Sequence, residues 1–102
     1  MRLDATLERA AGEDARRYQR VAVRLGAGFE GPERPSSRVA VVDLSTHGCG
    51  IEIDSHVESG ARVWIKLPGL QSWKSRVVWS DNGRAGLEFE SPLHPAVVDR
   101  YR

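Results

Sequence analysis

Apolar and polar residues alternate in short stretches from residue 21 onward, and a period of two residues is typical of β-strands that bury one face. Val21, Val23 and Leu25 share one face of the first stretch, and the alternation resumes in "RVAVVDLS" from Arg38 to about Asp43. Further stretches with this pattern are "IEI" at 51–53, "RVWIKL" at 62–67, "SWKSRVVWS" at 72–80 and "RAGLEFE" at 84–90. The chain is therefore predicted to contain about six short strands.

Residues that favour turns separate these strands. The segment "GAGFEGPERPSS" at 26–37 is rich in Gly, Pro and Ser and predicts a hairpin loop, while Gly48 and Gly50 are expected to flank a turn. Asn82 and Gly83 form a strong signal for a two-residue hairpin turn. Short, closely spaced strands predict an all-β fold, either a small antiparallel barrel or a sandwich, and closing the sheet would hide its edges.

Both ends of the chain depart from the period of two. Residues 3–11, "LDATLERAA", contain good helix formers and predict a short helix or a loose arm, so residues 1–13 are treated as an arm and 14–102 as the domain. The segment "SPLHPAVVDRYR" at 91–102 predicts a short C-terminal helix. Trp73, Val77 and Trp79 are separated by even numbers of residues, so a regular strand would place them on the same face. This shared parity predicts that Trp79 lies in the core.

Length and composition limit the possible functions. A chain of 102 residues with 40% hydrophobic and 28% charged residues forms one globular domain at most, with little room for an enclosed catalytic cavity. Its net charge of +1 argues against a general DNA- or RNA-binding protein. The single cysteine, Cys49, excludes an internal disulfide, and no apolar run is long enough for a membrane span or a secretion signal. A cytoplasmic protein is expected.

An arginine cluster precedes the first strand. The segment "DARRYQRV" at 14–21 contains Arg16, Arg17 and Arg20, and 13 of the 15 basic residues in the chain are arginine. A solvated basic tail is the simplest explanation of such a cluster. Like charges at this spacing repel one another, however, and an anion would join them, because the arginine fork matches phosphate oxygens and guanine edges.

A second group of polar residues ends the second predicted strand. In "VVDLSTHGCG" at 41–50, Asp43 and Ser45 are good turn residues, because both side chains bond nearby backbone groups. As ligand-binding residues, Asp43 would accept from an amino or imino edge, Ser45 would add a hydroxyl contact, and Gly48 would let a ligand approach the backbone. A ligand with both guanine and phosphate groups would use these residues and the arginines together.

The two groups in this order resemble the signature of PilZ domains, bacterial receptors for cyclic di-GMP. Arg16-x-x-x-Arg20 is followed by Asp43-x-Ser45-x-x-Gly48, and the likeness extends over nearly the whole chain to the closing "VVWSDNGRAGLEF". The family pattern often has two adjacent arginines before the four-residue step, whereas alanine stands at position 15 here. That substitution bears on the number of arginine contacts and of bound ligands.

The resemblance implies a six-stranded antiparallel split barrel with short terminal helices and with cyclic di-GMP on its outer surface. The residues that it implies for ligand binding are Arg16, Arg17, Arg20, Asp43, Ser45, Gly48 and Trp79. It implies no cofactor, metal, catalytic residue or membrane span. The protein would order its arginine arm on the ligand and signal to an effector protein, as a monomer or as a dimer that forms with ligand. The alternative is a PilZ-like interaction module that binds no nucleotide.

Three other functions fit the sequence less well. Asp43, Ser45 and His47 lie too close together along the chain for a hydrolase triad, whose members come from distant segments. His47, Cys49 and His56 lack the spacing of a zinc site. The near-neutral charge disfavours a small barrel that binds RNA.

Overall fold

The computed structural model describes residues 19–32 and 34–102, which contain six β-strands and one short helix. The elements in chain order are β1 (Val21–Gly31), β2 (Arg34–Leu44), β3 (Gly48–Glu52), β4 (Arg62–Lys66), β5 (Trp73–Asp81), β6 (Arg84–Phe89) and α1 (Pro95–Asp99). The strands close into a barrel in the order β1-β2-β3-β6-β5-β4, and all neighbouring strands are antiparallel. The predicted six-stranded barrel is confirmed, and the expected N-terminal helix lies outside the described residues.

Apolar side chains from all six strands fill the barrel, as the alternation along the chain predicts. The largest side chains with almost no exposure are Phe29, Leu44, Ile51, Ile65, Leu67 and Leu87. These residues come from β1, β2, β3, β4, the segment after β4, and β6, so a single core joins the whole sheet. The barrel is therefore stabilised mainly by burial of its inward-facing aliphatic residues.

The C-terminal helix is short and confirms the prediction for residues 91–102. Pro95 is pre-set for the first helical turn, and the His94 ring Nδ1 accepts a hydrogen bond from the Ala96 backbone N–H over 3.0 Å. Val98 on this helix is buried in the core. Within the described ranges, the structure has no helix of the length and apolarity that crossing a membrane would require.

The first hairpin is longer than the sequence pattern indicated. The expected loop at 26–37 is wrong, because β1 continues to Gly31 and β2 begins at Arg34. Gly28 pairs with Arg38 of β2 and with Lys66 of β4, so strands hold this part of β1 from both sides. Pairing with two neighbours outweighs the low strand propensity of glycine.

Two further turns differ in how well they were predicted. Asn82 and Gly83 have φ values of 49° and 78°, which is the left-handed conformation that a tight hairpin turn requires, so that prediction is confirmed. Gly48 and Gly50, by contrast, both belong to β3, so the expected turn between them is wrong. The β2–β3 connection consists of residues 45–47.

Candidate functional site

Arg20 and Asp43 meet at the start of β1. Ala22 lies opposite Asp43 in the β1–β2 ladder, and Arg20 precedes Ala22 by two residues. The Arg20 Nη1 donates to Asp43 Oδ1 over 2.9 Å, and the two side chains remain 42% and 37% exposed. The Gly50 backbone N–H donates to the same Oδ1 over 3.0 Å. Asp43 Oδ2 receives no hydrogen bond from the residues that the structure describes, so it keeps its capacity to accept from a further donor.

Two glycines connect Asp43 to Trp79 across the outer face of the barrel. Asp43 lies opposite Gly50, Gly50 opposite Gly86, and Gly86 opposite Trp79 in three successive ladders. A Cβ on Gly50 would lie 2.9 Å from the Asp43 carboxylate, and a Cβ on Gly86 would overlap the Trp79 indole. The carboxylate and the indole therefore lie over adjacent glycines. We call Arg20, Asp43 and Trp79, with these two glycines beneath them, the corner.

Trp79 is a surface residue, so the prediction that it belongs to the core is wrong. Its side chain is 46% exposed, and the adjacent Val78 is 47% exposed. The β5–β6 register shifts between Val77, which lies opposite Leu87, and Trp79, which lies opposite Gly86. This β-bulge inserts Val78 as an extra residue and moves Trp79 to the outer face. An exposed indole beside a carboxylate offers a flat apolar surface to a planar ring.

Ser45 shapes the turn that follows Asp43. Its side chain is only 3% exposed, and its hydroxyl donates to the Gly48 carbonyl over 3.4 Å and accepts from the His47 N–H over 3.2 Å. The His47 carbonyl in turn accepts from the Phe89 N–H over 2.8 Å, which ties the turn to the end of β6. The hydroxyl that the sequence suggested as a ligand contact is thus engaged inside the turn.

Gly48 is required by the packing of β3 against β6. A Cβ at this position would overlap the Leu87 carbonyl oxygen, and a backbone atom in a paired strand has little freedom to move away. Gly48 therefore permits the close approach of two strands. Gly50 and Gly86, which support the corner, were not identified from the sequence, because only the ladder register shows that they lie opposite Asp43 and Trp79.

A cluster of charged residues borders the corner on β3. Glu52, two residues after Gly50, accepts from Arg24 Nη1 at one carboxylate oxygen and from Arg84 Nη2 at the other, both over 3.3 Å. The same three side chains form part of the wall of an open groove of about 620 Å³. Two guanidinium groups share one carboxylate here, so this cluster carries net positive charge next to the corner.

Comparison with known proteins identifies the family. The sequence matches the model of the PilZ domain over residues 14–101. The chain belongs to the PilZ domain family. Its fold is also similar to a crystal structure of the PilZ domain of CeSA from a cellulose-synthesizing bacterium, with a TM-score of 0.58 and 14% sequence identity, covering 70% of this chain and 79% of that chain. A comparison with curated proteins finds no match.

PilZ domains as a family are cyclic di-GMP receptors and generally act as binding or adaptor modules rather than as enzymes. In this PilZ domain the corner unites Arg20, Asp43 and Trp79, while Ser45 and Gly48 lie behind it in the turn and in β3. Arg16 and Arg17 lie outside the described residues.

Cys49 lies in β3 of this PilZ domain, one residue from each of the two β3 glycines, and it is fully buried. The pKa of its thiol is raised from 9.0 to about 12, mainly by burial and to a lesser extent by the Asp43 charge, while the Arg20 charge acts in the opposite direction. A thiol in this state is a poor nucleophile, because the reactive form is the thiolate.

We predict that Cys49 resists thiol reagents at pH 8 in the folded protein and reacts completely in denaturant. The folded-state pKa lies above the unfolded value of 9.0, so the buried thiol contributes its full stabilisation below pH 9. That contribution is lost as the pH rises from 9 toward 12, and the free energy of unfolding should fall over this range. Chemical unfolding at several pH values tests this, and Cys49→Ala should lack this part of the pH dependence. Fast labelling of the native protein would contradict a buried thiol.

Proposed function

We propose that this PilZ domain is a receptor for cyclic di-GMP and that the corner binds one of its guanine bases. The observation that carries this proposal is the combination of an exposed indole, a guanidinium and a carboxylate that retains an acceptor oxygen, all on one outer face. Each group matches a different feature of guanine, and few other ligands would use all three.

The chemistry of guanine accounts for each residue of the corner. The Watson–Crick edge of guanine carries two adjacent N–H donors, at N1 and N2, and Asp43 Oδ2 can accept from this edge. Arg20 uses only Nη1 in its contact with Asp43, so its other N–H groups can reach the O6 and N7 acceptors of a base or a phosphate oxygen. The Trp79 ring supplies a stacking surface for the base, a contact worth about 1–3 kcal/mol per base in nucleic-acid complexes.

Arg16 and Arg17 complete the site in this proposal. They precede Arg20 by four and three residues, and a chain extends at most about 3.5 Å per residue, so both are tethered within about 14 Å of the corner. We propose that they bind the phosphates of cyclic di-GMP and that the segment before Val21 becomes ordered on the ligand. Such ordering costs about 1–2 kcal/mol per residue fixed, which the charge-assisted contacts must offset.

Ser45 and Gly48 act in this proposal by holding Asp43 in place. The Ser45 hydrogen bonds fix the turn after Asp43, and Gly48 lets β3 approach β6 closely. Together they place Gly50, whose N–H orients the Asp43 carboxylate. Their contribution to ligand binding is therefore positioning, and the direct contacts come from the exposed residues of the corner.

Signal output follows from the ordering of the arm. We propose that residues 1–13 form an arm attached to a receptor domain at 14–102, and that the ordered arm presents a changed surface to an effector protein or to a second liganded copy. The protein would work as a non-enzymatic adaptor in the cytoplasm. The positive charge of Arg24 and Arg84 next to the corner would speed the encounter with a dianionic ligand.

Isothermal titration calorimetry of the full chain with cyclic di-GMP, GMP and a short RNA tests the proposed function. We expect tight binding of cyclic di-GMP only, because GMP supplies one guanine and one phosphate monoester instead of two guanines and two phosphodiesters. A net charge of +1 does not favour binding to the phosphate backbone of RNA. The stoichiometry would also report how many ligands bind with alanine at position 15. Absence of heat with cyclic di-GMP would contradict the proposal and favour an interaction module that binds no nucleotide.

A further inference from the structure

The first half of β1 has a neighbouring strand on one side only. β2 pairs with β1 from Val21 to Gly31, whereas β4 pairs with it only at residues 28–30. On the side away from β2, residues 21–27 form no backbone hydrogen bond with any other part of the chain that the structure describes. We call residues 21–27, on that side, the free edge. An unpaired edge offers a row of N–H and C=O groups to another strand.

The end of β4 explains the free edge. β4 stops at Lys66, and Pro68 has no backbone N–H with which to continue the ladder. Gly69 then takes a positive φ of 83°, which turns the chain away from β1. A cavity of about 420 Å³ lies over the outer face of β1 at this point, above Gly26 and Gly28 and between β2 and the end of β4. Because the β4 ladder ends at Gly28, residues 21–27 have no described partner strand on this side.

Burial along β1 changes where the β4 ladder stops. Ala27 and Phe29, which face the core, are each 1% exposed. Val21, Val23 and Leu25 have the same parity but remain only partly buried. These three aliphatic side chains form an apolar row that a strand on the free edge would cover, with its own alternate residues packed against them.

The outer side of the free edge is positively charged. Arg38 extends from β2 over β1, since its Nη2 lies 2.7 Å from the place of a Cβ on Gly26. Arg38 forms no ion pair with the residues that the structure describes, and Lys66 donates to the Leu70 carbonyl over 2.6 Å. The cavity over the outer face of Gly26 and Gly28 is lined by both cations and by no carboxylate. A strand added here would therefore gain from acidic side chains on its outward face.

We propose that the free edge binds an extended segment of a partner protein in which apolar and acidic residues alternate, a signalling role that rests on the receptor function proposed above. The segment adds to β1 as a further strand, as in other cases of β-strand addition. Its apolar residues cover Val21, Val23 and Leu25, and its acidic residues face Arg38 and Lys66. β1 also begins at the corner, so the partner and the ligand would contact the same strand.

Amide hydrogen exchange of the full chain with a synthetic peptide tests this proposal. The peptide is short, consists of alternating valine and glutamate, and is blocked at both ends. We expect it to slow exchange at those amides of residues 21–27 that point away from β2 and to leave β5 and β6 unchanged. A peptide with lysine in place of glutamate should protect them much less. The same peptide N-methylated along one edge should still bind, whereas methylation along the other edge should abolish binding, because only one edge can pair with β1.

Matched variants separate the contributions of the peptide contacts. Val23→Glu should weaken peptide binding by about tenfold or more, through lost apolar contact and like charge, while Val78→Glu at an exposed valine of β5 should not. Arg38→Ala should weaken it by about threefold, and Arg76→Ala on β5 is its control. Circular dichroism checks that each variant is folded.

Several results would overturn the proposal. They are protection of other strands by the peptide, equal binding of both methylated peptides, or no protection of residues 21–27 at all. Slow amide exchange of residues 21–27 without peptide would mean that the chain itself covers the free edge. Exchange at these residues that slows as the protein concentration rises, without peptide, would mean that a second copy of the chain binds the free edge. Titration with cyclic di-GMP in the same samples reports nucleotide binding independently, so failure of the receptor function and failure of the edge remain distinguishable.

Discussion

Replacing Arg20 with alanine is expected to weaken cyclic di-GMP binding by about 1–3 kcal/mol, which is roughly 5- to 150-fold in Kd. In the unliganded protein one N–H of Arg20 donates to Asp43 Oδ1, and the remaining guanidinium N–H groups can donate to a base or a phosphate. Its loss removes the only arginine that the described structure places in the corner. Calorimetric titration of the variant gives the affinity change directly.

Arg62→Ala is the matched control for this prediction. Arg62 is also an exposed arginine in a surface ion pair, with Glu90 over 3.3 Å, but it lies on β4, which contributes no residue to the corner. Exposed ion pairs of this kind contribute about 0–1 kcal/mol, so both variants should unfold at nearly the wild-type denaturant concentration. Unchanged affinity in the Arg20 variant would move the ligand site away from the corner.

Replacing Gly48 with alanine is expected to lower the free energy of unfolding by about 1–3 kcal/mol, the usual cost of overpacking. The added Cβ would overlap the Leu87 carbonyl oxygen, so β3 and β6 must separate or the variant must lose hydrogen bonds between them. Urea unfolding followed by circular dichroism measures the effect as a shift in the midpoint.

Gly28→Ala is the control for a glycine within a strand. A Cβ at Gly28 would lie 3.4 Å from the Lys66 Cβ, an ordinary contact, so alanine there should leave stability unchanged or raise it by up to about 1 kcal/mol. Equal stability of the two variants would show that β3 and β6 do not need to approach so closely. The comparison matters for function as well, because reduced ligand binding by Gly48→Ala alone would not identify Gly48 as a ligand contact.

The corner was only partly predictable from the amino-acid sequence. Arg20 and Asp43 stood out because of their charge and their spacing, and the structure brings them within 2.9 Å. Trp79 was named as a ligand residue from the family resemblance, while its parity pointed to the core. The β-bulge at Val78 explains that conflict, since one extra residue reverses the face of every residue after it.

The hairpin loop expected at residues 26–37 is wrong for a different reason, because the prediction relied on local Gly, Pro and Ser content. Gly26 and Gly28 looked like loop residues, yet both lie in β1, where pairing with β2, and at Gly28 also with β4, holds them extended. Glycine propensity reflects only the free energy of an isolated segment, whereas ladder pairing depends on partners far away in the chain. The same glycines leave the outer face of β1 bare, which allows Arg38 to extend over it.

The sequence by itself determined the all-β class, the six strands and the Asn82–Gly83 turn, because alternation and turn chemistry are local properties. It also contained the two polar groups on which the proposed guanine site rests. Only the tertiary structure decided which residues lie side by side. The placement of Gly50 and Gly86 beneath the corner, the burial of Ser45 and the exposure of Trp79 all follow from strand register. The free edge of β1 follows from where β4 ends. Register is set by contacts between distant strands, and a linear pattern does not contain them.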